Sequence, residues 1–423
     1  MLKHLKPKSE FGRNVLTLMT GTTIAQAIPI AISPILTRIY TPEDFGVFAL
    51  YISISTIFAV IVTGRYELAI MLPKKNKDAV LLVQLSIMIT LFIAITTLII
   101  VIFFNVEITQ LLGNPSISKW LYFIPLSICL TGFYQSLHYW NNRKKKYNNL
   151  VLSRISKSAI TSGIQVGGGL GSNLYYGLIA GEIIGQGGGA FVLARKAWRE
   201  NEIFSCKIHL IRAIALLKRY KKILYYGLPM GLLNAISNQL KPLVFSAIFS
   251  ISIVGWVYMA ERMLKAPLSI ISGSFNTVFF QNFVNVDNKL HLYVKSYISL
   301  LMLSLILLYP VYAHGEFIFE IIFGKGWRKA GELASILYLM VCFSFSSSAI
   351  STVFTALEKN EVSLIWQVMY FVGLVLLISY FGGGDYLVLM TYLSYWGAGM
   401  YFVLFVLGLM CILNFEKDKL GEG

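Results

Sequence analysis

Charge is what this 423-residue chain has least of. Asp, Glu, Lys and Arg together make up 13% of it, roughly half the ~25% of an ordinary soluble domain. So few polar groups cannot coat a water-soluble globule, which excludes a soluble enzyme or a free binding module. Carboxylates are scarcer still, with 20 Asp and Glu against 36 Lys and Arg. Phosphate-loop glycines in a GxxxxGK[ST] pattern are missing, as is an HExxH zinc motif. Nor is there a polar segment large enough for a catalytic domain. The cysteines Cys129, Cys206, Cys342 and Cys411 form no CxxC pair, and three of them lie in apolar runs. They read as small buried hydrophobes, with no disulfide framework or zinc site. His4, His138, His209, His291 and His314 make no i,i+4 ligand pair. The chain therefore reads as a non-enzyme that needs no metal and no organic cofactor.

What the chain does have is hydrophobic length. Hydrophobic residues are 56% of it, arranged in recurring runs near the ~20 residues that cross a bilayer as a helix. The pattern predicts an all-α integral membrane protein of about 12 helices, at roughly 14–37, 44–64, 79–104, 119–140, 155–172, 175–194, 224–248, 252–280, 294–313, 331–356, 363–381 and 386–413. The basic start MLKHLKPKSEFGR resembles a signal peptide, but the run behind it is too long for one, so it is read as a retained first helix.

A net charge of +16 would suit nucleic-acid binding if the bases lay on a folded polar domain. They lie instead in the gaps between apolar runs. With the N-terminus inside, 28 Lys and Arg fall in inside segments and 5 in outside segments. This positive-inside bias predicts both termini in the cytoplasm. The longest gap, about 195–223, holds a basic amphipathic stretch at Ile208–Lys222, expected to lie on anionic headgroups.

The two sides of that gap look alike. Gly46 and Gly255, each opening a helix, are 209 apart; Gly113 and Gly324, in the loops before helices 4 and 10, are 211 apart; so are Asn149 and Asn360. A repeat of six helices inserts twice with the same topology, giving two pseudo-symmetric six-helix bundles. The expected organisation is an N-terminal bundle at 1–200, a cytoplasmic amphipathic linker at 201–223, and a C-terminal bundle at 224–423. Transporters built from such repeats hold their substrate at the repeat interface.

Three bases remain inside predicted spans: Lys241, Arg262 and Lys265. A charge at the bilayer centre costs about 2.5–3.5 kcal/mol on insertion scales, so it faces a partner or a water-filled cavity. Lys241 and Arg262 fall at similar depth on consecutive helices. Glu261, four residues before Lys265, can neutralise one base. The surplus positive charge suits an anionic ligand such as a phosphate or an acidic sugar. Asn234 and Asn238 share the Lys241 face of helix 7, completing the expected substrate-binding set. Glu182 in helix 6, Glu261, Arg65 at the end of helix 2 and Arg38 at the end of helix 1 are candidates for coupling or gating. Prolines 29, 34, 229 and 242 would bend the first helix of each half.

Several stretches resemble one family. These are Thr37-Arg38-Ile39-Tyr40-Thr41-Pro42-Glu43-Asp44-Phe45-Gly46-Val47-Phe48, the loop Ile322-Phe323-Gly324-Lys325-Gly326-Trp327, and Gly255–Lys265 with Tyr258, Ala260, Glu261 and Arg262. They look like the Wzx-type O-antigen and capsule repeat-unit flippases of the multidrug/oligosaccharidyl-lipid/polysaccharide exporter superfamily. The resemblance spans essentially the whole chain through short motifs. It implies a flippase in the bacterial cytoplasmic (inner) membrane for undecaprenyl-pyrophosphate-linked glycan repeat units. It implies alternating access powered by a proton or sodium gradient, in lipopolysaccharide or capsule synthesis. A polysaccharide polymerase and a chain-length regulator are the further partners it implies. A cation-coupled multidrug exporter of the same fold is the alternative, although helix 1 has no intramembrane carboxylate and a cationic lumen would repel cationic drugs.

Overall fold

The computed structural model describes residues 10–171, 176–199, 203 and 210–421, and among these there is no β-strand. Lys3, Lys6, Lys8 and most of the 201–209 stretch lie outside the described residues. The helices are α1 (Glu10–Ile39), α2 (Pro42–Ile61), α3 (Asn76–Leu111), α4 (Ser118–Leu121), α5 (Ile124–Arg143), α6 (Tyr147–Gly169), α7 (Tyr176–Arg199), α8 (Leu210–Arg219), α9 (Leu228–Ile248), α10 (Ile251–Asn285), α11 (Lys289–Phe323), α12 (Arg328–Ile350), α13 (Val353–Ala356), α14 (Asn360–Phe381) and α15 (Tyr386–Gly421).

Among the described residues, eight helices are long and apolar enough to cross a membrane. A ninth span forms if Pro115–Leu121 and Ile124–Arg143, bent by 51°, are one broken crossing. Three other helices are long but fall short of that hydropathy: α6, α9 and α10. They carry Arg154 and Lys157, Lys241, and Glu261, Arg262 and Lys265 respectively. Helix α6 corrects the expectation of a start near 155. It begins at Tyr147, which moves Arg154 from a cytoplasmic loop, and Lys157 from the edge of the predicted helix, into the helix body. The outer loop expected near 314–330 is also mostly helical, because α11 runs to Phe323 through a kink at His314.

The chain divides into two compact units between Gly255 and Trp256. In the first unit, α6 packs on α7 and α1, α3 on α5, α5 on α7, and α2 on α9. In the second, α11 packs on α12, α12 on α15, and α14 on α15. The units share backbone irregularities at nearly one offset. Phe104 and His314, 210 apart, each break the helical φ/ψ of a long helix. Gly113 and Gly324, 211 apart, both take positive φ (67° and 99°), where a side chain would be strained. Lys145 and Glu358, 213 apart, both sit at φ 55° just before α6 and α14.

The glycine pair noted in the sequence meets directly. Thr41 caps α2 in a reciprocal box with Asp44, which aims the first turn of α2 at the first turn of α10. There a Cβ on Gly46 would stand 2.1 Å from the Ile251 carbonyl oxygen, and one on Gly255 would stand 1.9 Å from that of Pro42. Ser252 donates to Glu43 Oε1 across the same contact. Glu43 and Ser252 are 209 apart, as are Gly46 and Gly255.

The linker helix also packs on protein. Ala213 and Leu216 of α8 are buried in a cluster that includes Tyr66, Ile70, Val80 and Trp140. Arg212 Nε lies 2.6 Å from Asp78 Oδ1 at the head of α3. The described part of the stretch expected to rest on headgroups is therefore docked on the first unit through Ala213 and Leu216, with Ile211, Lys218 and Arg219 left outward.

Adding a methyl at Gly46 must displace backbone, whereas one at Gly163 of α6 meets nothing within 4 Å. Gly46→Ala is expected to destabilise by about 1–3 kcal/mol, as overpacking does. Gly163→Ala should be neutral or stabilising, because alanine favours helix. Thermal melts of the purified protein in detergent check the pair.

Candidate functional site

The polar groups of the first unit start on α6. Arg154 donates to Thr22 Oγ1 of α1. One turn on, Lys157 Nζ lies 2.9 Å from Glu182 Oε1 of α7, with side chains 31% and 26% exposed. The pair can approach because α7 is glycine-rich: Gly181 and Gly185 lie against Thr161 and Gln165 of α6. Glu182 is thus not alone. It balances a lysine that the charge pattern had counted with the cytoplasmic segments. Elsewhere in this unit, Gln26, Gln135, Thr161, Ser162 and Gln186 each bury an oxygen that no protein group hydrogen-bonds. Buried polar atoms of this kind are ordinarily satisfied by water, which fits a hydrated interior.

A second group closes the α2–α3 connection. Gly64 and Arg65 both take positive φ (59° and 62°); for arginine this costs on the order of 1 kcal/mol or more. The turn is held by Arg143 of α5, whose guanidinium donates to the carbonyls of Ile70 and Met71 at 3.2 Å and of Pro73 at 2.6 Å. The Arg65 guanidinium lies against Gly231 of α9, where a Cβ would stand 3.0 Å from Nη2. Glu67 is 3% exposed and accepts from Thr63 Oγ1. Burial raises its carboxyl pKa above the usual carboxylate range, against the opposing pull of the Thr63 bond and the Arg65 charge.

Helix α9 carries Lys241, 5% exposed, on the stripe that buries Ser237 and Phe245. Asn238 and Asn234 sit on a neighbouring, exposed face, where Asn238 Nδ2 donates to Asn234 Oδ1 at 2.6 Å. Ser53 of α2 donates to Gln239 Oε1 at 2.9 Å. In the second unit, Lys265 Nζ lies 2.6 Å from Glu261 Oε2, the neutralisation expected from their i,i+4 spacing. Arg262 follows Glu261 and is half-buried. Arg38 is exposed at the end of α1.

The structure thus brings together Lys265 with Glu261, Asn234 with Asn238, and Glu182 with Lys157. Sequence reasoning missed Lys157, Arg154 and Glu67 as buried or half-buried polar groups. A start for α6 at Tyr147-Asn148-Asn149, just past the basic run 143–146, would have placed the first two. Among the described residues no three His, Cys, Asp or Glu side chains cluster as a metal site.

Residues 35–332 match the family described as "Polysaccharide biosynthesis protein". That is well over half of the chain, and the protein belongs to this family. No curated protein matches the sequence. Among solved structures, the chain is similar to the lipid II flippase MurJ in an inward closed conformation, with 15% identity, TM-score 0.69, and coverage of 95% of this chain and 87% of that one. It is similar to a MOP superfamily transporter from Pyrococcus furiosus at 10% identity and TM-score 0.59, covering 94% and 95%. It is also similar to a multidrug resistance MATE family transporter in an outward-facing conformation, at 12% identity and TM-score 0.56, covering 95% and 96%. The chain shares the fold of these transporters, as the sequence motifs implied.

Two outcomes are expected. A carboxyl whose folded pKa lies above its unfolded value stabilises the fold below the unfolded value, and that contribution is lost as pH rises through the folded value. Wild type should therefore lose melting temperature relative to Glu67→Gln as pH climbs from about 4.5, the unperturbed value, towards neutrality. Paired melts across pH 4–8 check this. For the ion pair, Lys157→Ala or Glu182→Ala alone leaves one half-buried charge without its partner and should lower stability more than Lys157→Ala/Glu182→Ala does. A double-mutant cycle on melting temperature measures the coupling.

Proposed function

We propose that this protein is a flippase, moving undecaprenyl-pyrophosphate-linked oligosaccharide repeat units across the bacterial cytoplasmic membrane for surface polysaccharide synthesis, either O-antigen or capsule. The observation that carries the reading is where the charge sits. The three long helices too polar for the apolar-span criterion, α6, α9 and α10, are the ones that bear Arg154, Lys157, Lys241, Arg262 and Lys265. Taken as crossings beside the eight apolar helices and the bent pair, they support a reading of about twelve spans, with both termini proposed to lie inside. Membership of a polysaccharide biosynthesis family and the exporter fold support the same reading.

In the proposed cycle the lipid tail stays in the bilayer. The pyrophosphate and sugars pass along basic and amide side chains, with Lys241, Arg262, Lys265, Asn234 and Asn238 as their partners. Bundles 1–200 and 224–423 rock about the linker 201–223. Arg gives bidentate contacts to phosphate and Lys a point charge, and a gradient of protons or sodium powers the return. Glu182, held by Lys157, is the proposed coupling carboxylate. Glu261, Arg65 and Arg38 are proposed for gating. A polymerase and a chain-length regulator would take the product. The chemistry is displacement of a non-covalent cargo, so no enzymatic step and no cofactor is invoked.

The test is complementation of a bacterium lacking its own repeat-unit flippase, with the matching sugar pathway supplied and surface polymer scored. Wild type should restore polymer. Lys241→Ala and Arg262→Ala, at matched membrane expression, should each reduce it at least tenfold. Failure of wild type, together with efflux of cationic dyes, would move the assignment to a multidrug exporter. Full activity of both variants would retain the flippase and remove the proposed binding residues.

A further inference from the structure

In the second unit, the start of α14 and the last turns of α15 enclose a pocket of about 430 Å³, within the ~300–1,000 Å³ range of small-molecule sites. Its charged lining comes from Lys359, Glu361 and Lys417, beside the Asn414 amide, and its apolar wall includes Leu357, Val362 and Phe415. None of these residues belongs to the set assigned to cargo. Two lysines against one glutamate leave a single positive charge.

The pocket's position restricts what can fill it. It lies at the end of α14, whose 22 residues are apolar enough to span a membrane. From the pocket along that helix, Ile365, Val368, Met369, Val372 and Leu376 are exposed, at spacings of three and four residues that place them on one face. An exposed apolar stripe on a spanning helix meets acyl chains. A polar pocket at the head of such a stripe meets headgroups. Lysines there reach the interfacial layer, where each basic residue near an anionic leaflet gains ~1 kcal/mol, while their aliphatic stems cover the apolar wall.

We propose that this pocket binds the headgroup of an anionic phospholipid carrying one phosphodiester charge. Lys359 and Lys417 hold the phosphate, Glu361 sets the net charge at one, and the acyl chains lie on the α14 stripe. An anionic headgroup complements the pocket's single positive charge. A zwitterionic headgroup brings no net charge to do so.

The full-length protein is reconstituted in nanodiscs of equal phosphatidylglycerol and phosphatidylethanolamine, extracted, and its retained lipid measured by native mass spectrometry. Phosphatidylglycerol should be retained at least fivefold over phosphatidylethanolamine. Lys359→Ala/Lys417→Ala should abolish that preference, while Lys295→Ala, which removes an exposed lysine elsewhere in the second unit, should leave it intact. Adding glycerol phosphate or inorganic phosphate in solution should not compete. Equal retention of the two lipids overturns the proposal, as does an unchanged preference in the double variant. An equal loss in Lys295→Ala would mean general basic charge rather than this pocket. Competition by the soluble phosphates would make it a site for a free anion rather than a lipid. A monodisperse elution profile for each variant keeps misfolding from imitating a loss, and the polymer assay separates failure here from failure of the flippase reading.

Discussion

A charge in hydrocarbon costs kilocalories that a small number of partners must offset. Most of this fold is arranged around that constraint. The chain admits few ionisable side chains, and those it admits within α6, α9 and α10 are given partners or placed on polar faces. Lys157 has Glu182, Lys265 has Glu261, and Arg154 has a threonine hydroxyl. Glycines in α7 then let α6 come close enough for the first of these pairs to form. Packing and electrostatics in this region are one problem: the helix that carries charge needs a neighbour slim enough to bring an acid within 3 Å.

The same economy explains the connections. The α2–α3 connection takes two residues in left-handed backbone, and past them the carbonyls of Ile70, Met71 and Pro73 take a donor from another helix. Arg143 answers all three. With that turn fixed, Glu67 is buried beneath it, and the amphipathic α8 finds a formed apolar surface to cover. Its docking by Ala213, Leu216 and the Arg212–Asp78 pair ties the mid-chain linker to the first unit. Within the first unit, the first turns of α2 and α10 meet at paired glycines, where a Cβ on either would run into backbone.

Much of this was legible in the sequence, for identifiable reasons. Apolar length and the scarcity of charge defined a helical membrane protein, because the bilayer permits few alternatives. The repeat was visible through Gly46/Gly255 and Gly113/Gly324, since close approach and positive φ both demand glycine and leave a mark at fixed spacing. The Glu261–Lys265 pair followed from helical periodicity. Less legible were helices whose own charge disguises them. Arg154 and Lys157 look like loop residues because hydropathy counts charges without asking whether they are paired.

What the sequence determined by itself is therefore the class of solvent, the direction of the repeat and the local pairs within one helix. These depend on composition and on spacings of four residues or of one whole repeat. Only the tertiary structure decided that Glu182 belongs to Lys157, that Arg143 closes a turn seventy residues away, and that the two repeat glycines touch each other. It also decided that the basic linker helix turns its apolar face to protein. Each of these joins residues distant in the chain, and the free energy of such a contact depends on which helices end up adjacent. No local pattern carries that information.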